Sequence, residues 1–404
     1  MSDPRIYRTE PYAQSNISKV IGSTEKDGFD VVACSSSVFC PEGGGQPSDI
    51  GTISRGAEIY NVTSAYDANL ESDVWHVTDA PVGTFREGEE VELTIDWDHR
   101  FCNMQRHCGE HMLSGTMHNL FGGINRGFHM GEEYITIDID LDGRMLTDEE
   151  LDLAEKTVNE AIWADLPVTI TYFDNYEASL AMPVRKQVPH DGQVSVVTVG
   201  ELPDPYDCIA CCGTHPSSSA QVGLLAIYKH EPNKGMNRIY FDCGIRAKEK
   251  LSADFDLLTE LARRSSCSTG DLLHKMEATG EEMSELKAQL ATMSSYIKDA
   301  EKPVIVDGLK KADGVFRYSF DLVSVDDLLK LGFSAISEVE GKLLILMHPK
   351  TCTALLFSSG DAKCGSIVRE NAPACNGRGG GRDDNARAVF QSVKDMKQFA
   401  EAIV

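Results

Sequence analysis

His107 and His111 stand four residues apart in "RHCGEHMLSG", and Cys208, Cys211, Cys212 and His215 crowd into "CIACCGTH". On a helix, a spacing of four sends both imidazoles off one face, one turn apart. Cys211-x3-His215 offers a second pair. Taken singly, each pair reads as surface or core side chains. Taken together, three imidazoles and one thiolate form a borderline-soft donor set suited to tetrahedral zinc. Two pairs from distant segments would pin a helix against a loop, which is how a metal cleft is built. The reading is one zinc ion per chain on His107, His111, Cys211 and His215. Cys208 and Cys211 also spell a Cys-x2-Cys redox couple, but that chemistry wants the pair opening a helix after a strand. Here "GTHP" follows and reads as loop. Cys208 and Cys212 are then pocket wall or neighbours of the ligands.

The same helix stretch, His107-Cys108-Gly109-Glu110-His111, spells the His-x2-Glu-His signature of a zinc protease, with Glu110 as general base. That reading leaves Cys211-x3-His215 without a task. A further element is "FCPEGGGQPSDIG", in which Gly43, Gly44 and Gly45 let the backbone turn tightly and approach another molecule. Pro41 and Pro47 bracket the run and stiffen it. Gln46, at its exit, offers a donor and an acceptor to a ligand.

The elements that must carry these residues can be read in outline as α+β. From about 18 to 96, short strands broken by Gly, Asp and Ser predict a small β-barrel. After Asp98, Phe101, Met104, Cys108 and Met112 recur at helical spacing up to Gly122-Gly123. In "TDEELDLAEKTVNEAIWADL", Thr147 and Glu150 form a capping box and Leu151, Ala154, Val158 and Ile162 one apolar face. Further strands extend this unit to about 247. Over 248–300 two helices are predicted. The second carries Leu272, Met276, Thr279, Met283, Leu286, Leu290, Met293 and Ile297 in 4-3 alternation, a coiled-coil seam. An antiparallel hairpin is the simpler reading, and a dimer seam in the C-terminal region the second. A final α/β unit spans 301–404.

The chain has 404 residues, too many for one ordinary core, and a net charge of −25. No apolar run is long enough to cross a bilayer, and "MSDPRIYRTEPYAQS" lacks an apolar signal core. The expectation is a cytoplasmic protein with no membrane partner, whose 12 cysteines bind metal rather than pair. The acidity argues against a general nucleic-acid binder. It is unevenly placed, however, because residues 301–404 hold 14 Lys/Arg and 14 Asp/Glu. A polyanion would find its anchor there, near Arg369, Arg378, Arg382, Arg387, Lys394 and Lys397 and the Gly379-Gly380-Gly381 run.

The order of these motifs resembles the AlaX family, free-standing relatives of the alanyl-tRNA synthetase editing domain. The family pattern of Gly-Gly-Gly-Gln, His-x3-His, Arg-Lys and Cys-x3-His is matched by Gly43–Gln46, His107/His111, Arg185-Lys186 and Cys211/His215. The C-terminal third, with "GRGGGRDDNARA", looks like the synthetase's DHH-associated domain, as in the long AlaX subtype. The resemblance implies a glycine-rich-loop barrel over 1–96, a zinc-dependent editing domain over 97–247 and a coiled-coil linker over 248–300. Residues 301–404 would then bind tRNA.

It further implies hydrolysis of the ester joining serine, or glycine, to tRNA(Ala). The need is physical, since an alanine pocket cannot strongly reject a residue one methyl smaller or one hydroxyl larger. Ser37 aligns with the family threonine that reads the serine hydroxyl, and Cys40 replaces the more usual tyrosine. Gln46 and the Gly43–Gly45 amides would hold the ester, Arg185 and Lys186 would meet phosphate, and Glu110, usually Gln in the family, would accept a proton. A non-catalytic, zinc-containing tRNA-binding module is the alternative.

Overall fold

Six strands close on themselves before the chain reaches its first long helix. In the computed structural model, which describes residues 3–67, 73–186, 189 and 191–403, a short helix α1 (Ile6–Thr9) precedes them. The strands are β1 (Ser15–Lys26), β2 (Phe29–Cys34), β3 (Gly51–Arg55), β4 (Glu58–Asp67), β5 (Val74–Pro81) and β6 (Glu90–Ile95), in the barrel order β1-β2-β5-β4-β3-β6. Asp27 and Gly28, both at positive φ, make the two-residue turn that brings Lys26 opposite Phe29. Alternate residues point inward, so Val20, Val32, Phe39, Ile53, Val62 and Leu93 fill the barrel. Closure removes the open edges that short strands would otherwise present.

The next helix, α2 (Trp97–Phe121), begins at Asp96, whose carboxylate accepts from the His99 N–H (3.0 Å), and ends at left-handed Gly122. The sequence suggested one apolar face. Instead almost every side chain from Asn103 to Met117 is buried, because the helix runs through the middle of its unit. Gly109 allows this crowding, since a Cβ there would lie 2.1 Å from Cys243 Sγ.

Around α2 stand β7 (Ile124–Met130), β8 (Ile135–Asp140), α3 (Asp148–Trp163), β9 (Val168–Phe173), α4 (Tyr176–Ser179), β10 (Val194–Val199), β11 (Asp207–Ala210), β12 (Leu225–Asn233) and β13 (Met236–Cys243). They form one sheet ordered β12-β13-β8-β7 and another ordered β11-β10-β9. The Thr147/Glu150 capping box is formed at the start of α3, and Leu151, Ala154, Val158 and Ile162 are buried in the core with Met112, Ile137 and Phe241. Such a cap stabilises a helix by about 1 kcal/mol.

The chain divides into two compact units, Met1–Leu258 and Thr259–Val404. Helix α5 (Gly244–Arg264) follows β13 and contains the division at Leu258, and α6 (Leu272–Lys311) lies in the second unit. The sequence suggested that the seam helix stops near 297. It continues through Pro303 to Lys311, because Ile305, Val306 and Leu309 bury in the core of the second unit and outweigh the lost proline N–H. The seam residues Met276, Met283, Leu286, Leu290 and Met293 are exposed.

Beyond α6 come β14 (Val315–Ser319), α7 (Val325–Ile336), β15 (Leu343–His348), β16 (Thr353–Ser358), α8 (Cys364–Asn371), β17 (Gly377–Gly381), β18 (Asn385–Phe390) and α9 (Val393–Ala402). The sheet order is β14-β15-β16-β18-β17. Gly379, Gly380 and Gly381 therefore lie in an edge strand, paired with Ala388, Arg387 and Ala386, and not in a loop. Arg378 is in the same strand, and the N–H of Arg382 donates to the Asn385 carbonyl (2.7 Å). No helix among the described residues is long and apolar enough to cross a membrane.

Candidate metal centre and its cavity

Helix α2 presents His107 and His111 one turn apart, and β11 runs straight into Cys211. The loop after β11 is fixed at once, by the Cys211 N–H to the Ser195 carbonyl (3.0 Å) and by the Ser195 hydroxyl to the Cys211 carbonyl (2.5 Å). It then folds back so that His215 faces the helix. The ligand atoms of His107, His111, Cys211 and His215 all lie within 4.8 Å of one another. The three imidazole centroids are 4.6–4.9 Å apart.

The chemistry of this cluster fits a metal ion. Nδ1 of His111 and both ring nitrogens of His215 are buried with no hydrogen-bond partner, a costly state unless something else engages them. Burial pushes His107 down to about 4 and holds His111 and His215 well below the usual histidine range, so all three are neutral imidazoles. Burial pushes the Cys211 thiol up, and a bound cation is what would ionise it at neutral pH. The loop leaves no slack: a Cβ on Gly213 would lie 2.3 Å from His107 Cε1 and 2.7 Å from Gln46 Oε1.

Gln46 lies behind His107. The segment Gly43–Gln46 is a tight turn closed by two backbone bonds between its ends, with Gly44 and Gly45 at positive φ. A Cβ on Gly45 would strike Phe128, whose ring stacks on His107 at 5.7 Å. The Gln46 amide oxygen accepts from His107 Nδ1 (2.7 Å) and from the Thr214 N–H (3.1 Å), while Nε2 donates to the Thr214 hydroxyl (2.9 Å). The Gln46 amide, expected to hold the ester, is buried and hydrogen-bonded at both ends. Past the turn, Asp49 pairs with fully buried Arg100 of α2 (2.8 Å).

In front of the imidazoles opens a cavity of about 1060 Å³. His107, Glu110, His111 and Cys211 are part of its wall, as are Gly44 and exposed Cys212. Glu110 Oε1 accepts from the Ser114 hydroxyl (2.6 Å) and the Asn125 amide (2.8 Å), and Oε2 lies 3.9 Å from His111 Nε2. Burial raises its pKa, and nearby Arg185 works against that. Arg5, Arg8, Arg126, Arg185 and Lys186 line the same cavity. Arg185 is held by Asp207 (2.7 Å), which burial pushes up to about 6 despite that arginine. Lys186 is exposed.

Position bears on two other readings. Ser37 is buried inside the barrel and is not one of the residues lining the cavity. His76 Nδ1 must donate to the Val32 carbonyl (2.9 Å), so its Nε2 is an acceptor and the Ser37 hydroxyl donates to it (2.8 Å). The Ser37 oxygen also accepts from the Phe39 N–H (3.0 Å). Both of these hydrogen bonds of the hydroxyl are made within the barrel. Cys208 lies in β11, its sulfur 3.6 Å from the Thr198 hydroxyl and packed with Val194 and Val196, and no helix opens at it. Thr214, Asn125, Phe128, Arg5, Arg8 and Arg126 escaped sequence reasoning, since none belongs to a spaced motif.

Residues 194–240, from β10 into β13, match the family model for the threonyl and alanyl tRNA synthetase second additional domain. That stretch contains Cys211 and His215. The whole chain is similar to the alanyl-tRNA editing protein AlaX-L of Pyrococcus horikoshii, 26% identical over 402 residues, covering 96% of this chain and 95% of that one. It is also 26% identical to the alanine–tRNA ligase of Pyrococcus abyssi, over 99% of this chain and 43% of the ligase. The Streptococcus pneumoniae ligase is 28% identical over 90% of this chain and 42% of the ligase, so the chain spans less than half of either ligase. The chain is thus similar from end to end to an AlaX-L protein, the matched family model covers the segment with Cys211 and His215, and the fold brings both halves of the donor set together.

Proposed function

We propose that this chain hydrolyses the ester of mischarged tRNA(Ala), serine-charged first and glycine-charged also, with one zinc ion on His107, His111, Cys211 and His215. The observation that carries the reading is the convergence of those four donors, with His107, His111 and Cys211 in the wall of a cavity that five cationic side chains also line. The naming of the relatives as an alanyl-tRNA editing protein and as alanine–tRNA ligases supports the choice of tRNA(Ala).

An aminoacyl ester is already activated, so the site must place water, accept a proton and stabilise an oxyanion. A zinc ion, when bound, supplies Lewis-acid polarisation and acidifies coordinated water. Glu110 is the carboxylate in reach, with Oε1 anchored by Ser114 and Asn125 and Oε2 left to take the proton from water. Burial makes it a better acceptor than an exposed glutamate. Arg5, Arg8, Arg126, Arg185 and Lys186 meet the phosphates of the terminal nucleotides, which lets an otherwise acidic chain admit a polyanion locally. The cavity volume lies at the upper end of small-molecule sites (about 300–1,000 Å³), enough for an aminoacylated terminal nucleoside. With Ser37 turned into the barrel, recognition of the serine hydroxyl falls to polar groups on the cavity wall.

Deacylation assays on Ser-, Gly- and Ala-tRNA(Ala) test the proposal. The expected result is release of serine and glycine with the alanyl ester spared. A zinc-loaded chain that binds these tRNAs and releases no amino acid would support the non-catalytic module instead.

A further inference from the structure

The Gly-Gly-Gly-Gln turn is chemically idle if it neither touches substrate nor supplies a ligand. Its geometry points to another task. We infer that Gln46 is a positioning residue of the metal centre: it fixes His107 as the Nδ1–H tautomer and thereby presents Nε2 to the ion. The inference rests on the four-ligand metal reading above and adds a residue that is not itself a ligand.

The argument runs through hydrogen-bond capacity. An amide side chain can be placed either way round, but the Thr214 backbone N–H can only donate. The atom 3.1 Å from it must therefore be the oxygen of Gln46, which leaves Nε2 to donate to the Thr214 hydroxyl at 2.9 Å. That same oxygen lies 2.7 Å from His107 Nδ1. An amide oxygen cannot donate, so Nδ1 carries the proton and Nε2 the lone pair. Nε2 is the nitrogen on the cluster side, 3.4 Å from Cys211 Sγ. His111 Nδ1 and both nitrogens of His215 have no hydrogen-bond partner. Of the three imidazoles, only His107 thus has its protonation site dictated by a side chain behind it.

Thr214 widens the effect. It precedes His215 in the loop that begins at Cys211, so one carboxamide clamps the helix pair to the loop pair. Gln46 reaches this place only because Gly44 and Gly45 take positive φ and Gly213 leaves room for its oxygen. Outer partners of this kind orient the ring and raise its basicity, and losing one typically weakens metal binding by about 10–100-fold.

The test uses the full-length chain. Long-range 15N NMR of the histidine-labelled, zinc-loaded protein should show His107 protonated at Nδ1 and metallated at Nε2. Competition with a zinc chelator should show Gln46→Leu binding zinc about 10–100-fold more weakly. Gln46→Glu should recover most of that loss, since a carboxylate accepts from both Nδ1–H and the Thr214 N–H. Zinc bound through His107 Nδ1 would overturn the inference. So would a folded Gln46→Leu variant of unchanged affinity, or a glutamate variant as weak as the leucine one. If Gln46→Leu does not fold, the spectrum of the parent protein decides. A parent chain that takes up no zinc would overturn the metal reading itself, a result distinct from zinc bound through the wrong nitrogen.

Discussion

Ser37 and His76 form a buried hydrogen-bonded pair inside the barrel. A hydroxyl aligned with a substrate-reading threonine instead completes a buried pair, one step from the cavity wall at Pro4 and Arg5, which bond to its backbone or lie beside it. Ser37→Ala would leave His76 Nε2 without its donor in the barrel core. The expected cost is about 1–3 kcal/mol of stability, read from urea unfolding, with serine and glycine deacylation slowed alike. Selective slowing of the serine substrate would return Ser37 to the role the alignment gave it. The same pair sets a pH dependence. Burial lowers His76 from the ordinary value near 6.5 to about 4, so between those values the unfolded chain binds a proton that the folded one does not. Its share of stability is complete above about pH 6.5 and is lost as pH falls towards 4. The His76→Gln variant should therefore lose less stability than the parent over that window. Parallel curves for the two proteins would contradict the assignment.

At the scale of elements, the candidate metal centre is a helix, a loop and a turn held in mutual contact. Gly213 is where the three come closest. Gly213→Ala places a methyl within 2.4 Å of His107 Nδ1 as well as against Gln46. We expect a loss of about 1–3 kcal/mol from overpacking and reduced zinc content, measured by metal analysis of the purified variant. Full zinc content with unchanged stability would mean the loop is slacker than it looks. Both halves of the donor set were legible in the sequence, because four-residue spacing is local and a helix or tight loop preserves it. The barrel was legible for the same reason, through short alternating strands with turn residues between them. Gln46 was legible as special but its partners were not, since they lie 61 and 168 residues away and no spacing rule reaches that far. The end of α6 was hidden differently. The seam itself ends at Ile297, while the burial of Ile305 and Leu309 depends on strands not yet reached. The glycines of β17 read as loop, because glycine favours loops until a neighbouring strand needs the space.

The whole molecule joins an acidic first unit, which holds the cavity, to a nearly neutral second one. We propose that the second unit anchors tRNA through Arg378, Arg382 and the glycine strand between them, while the cavity acts on the 3′ end. Cutting at Asp299 would divide α6 and expose part of a core, so the informative fragment is 1–270. It should cleave at high substrate concentration with a raised KM and a flatter salt dependence. An unchanged KM and salt slope would remove the second unit from tRNA binding. The exposed seam on α6 bears on assembly, and a dimer through it stays a proposal for sedimentation to decide. The most direct test of the central claim is the rate of Ser-tRNA(Ala) deacylation as zinc is titrated into metal-stripped protein. The account expects a rate near zero at the start, rising in proportion to added zinc and levelling at one ion per chain. Full activity without zinc, or none with one ion bound, would contradict it.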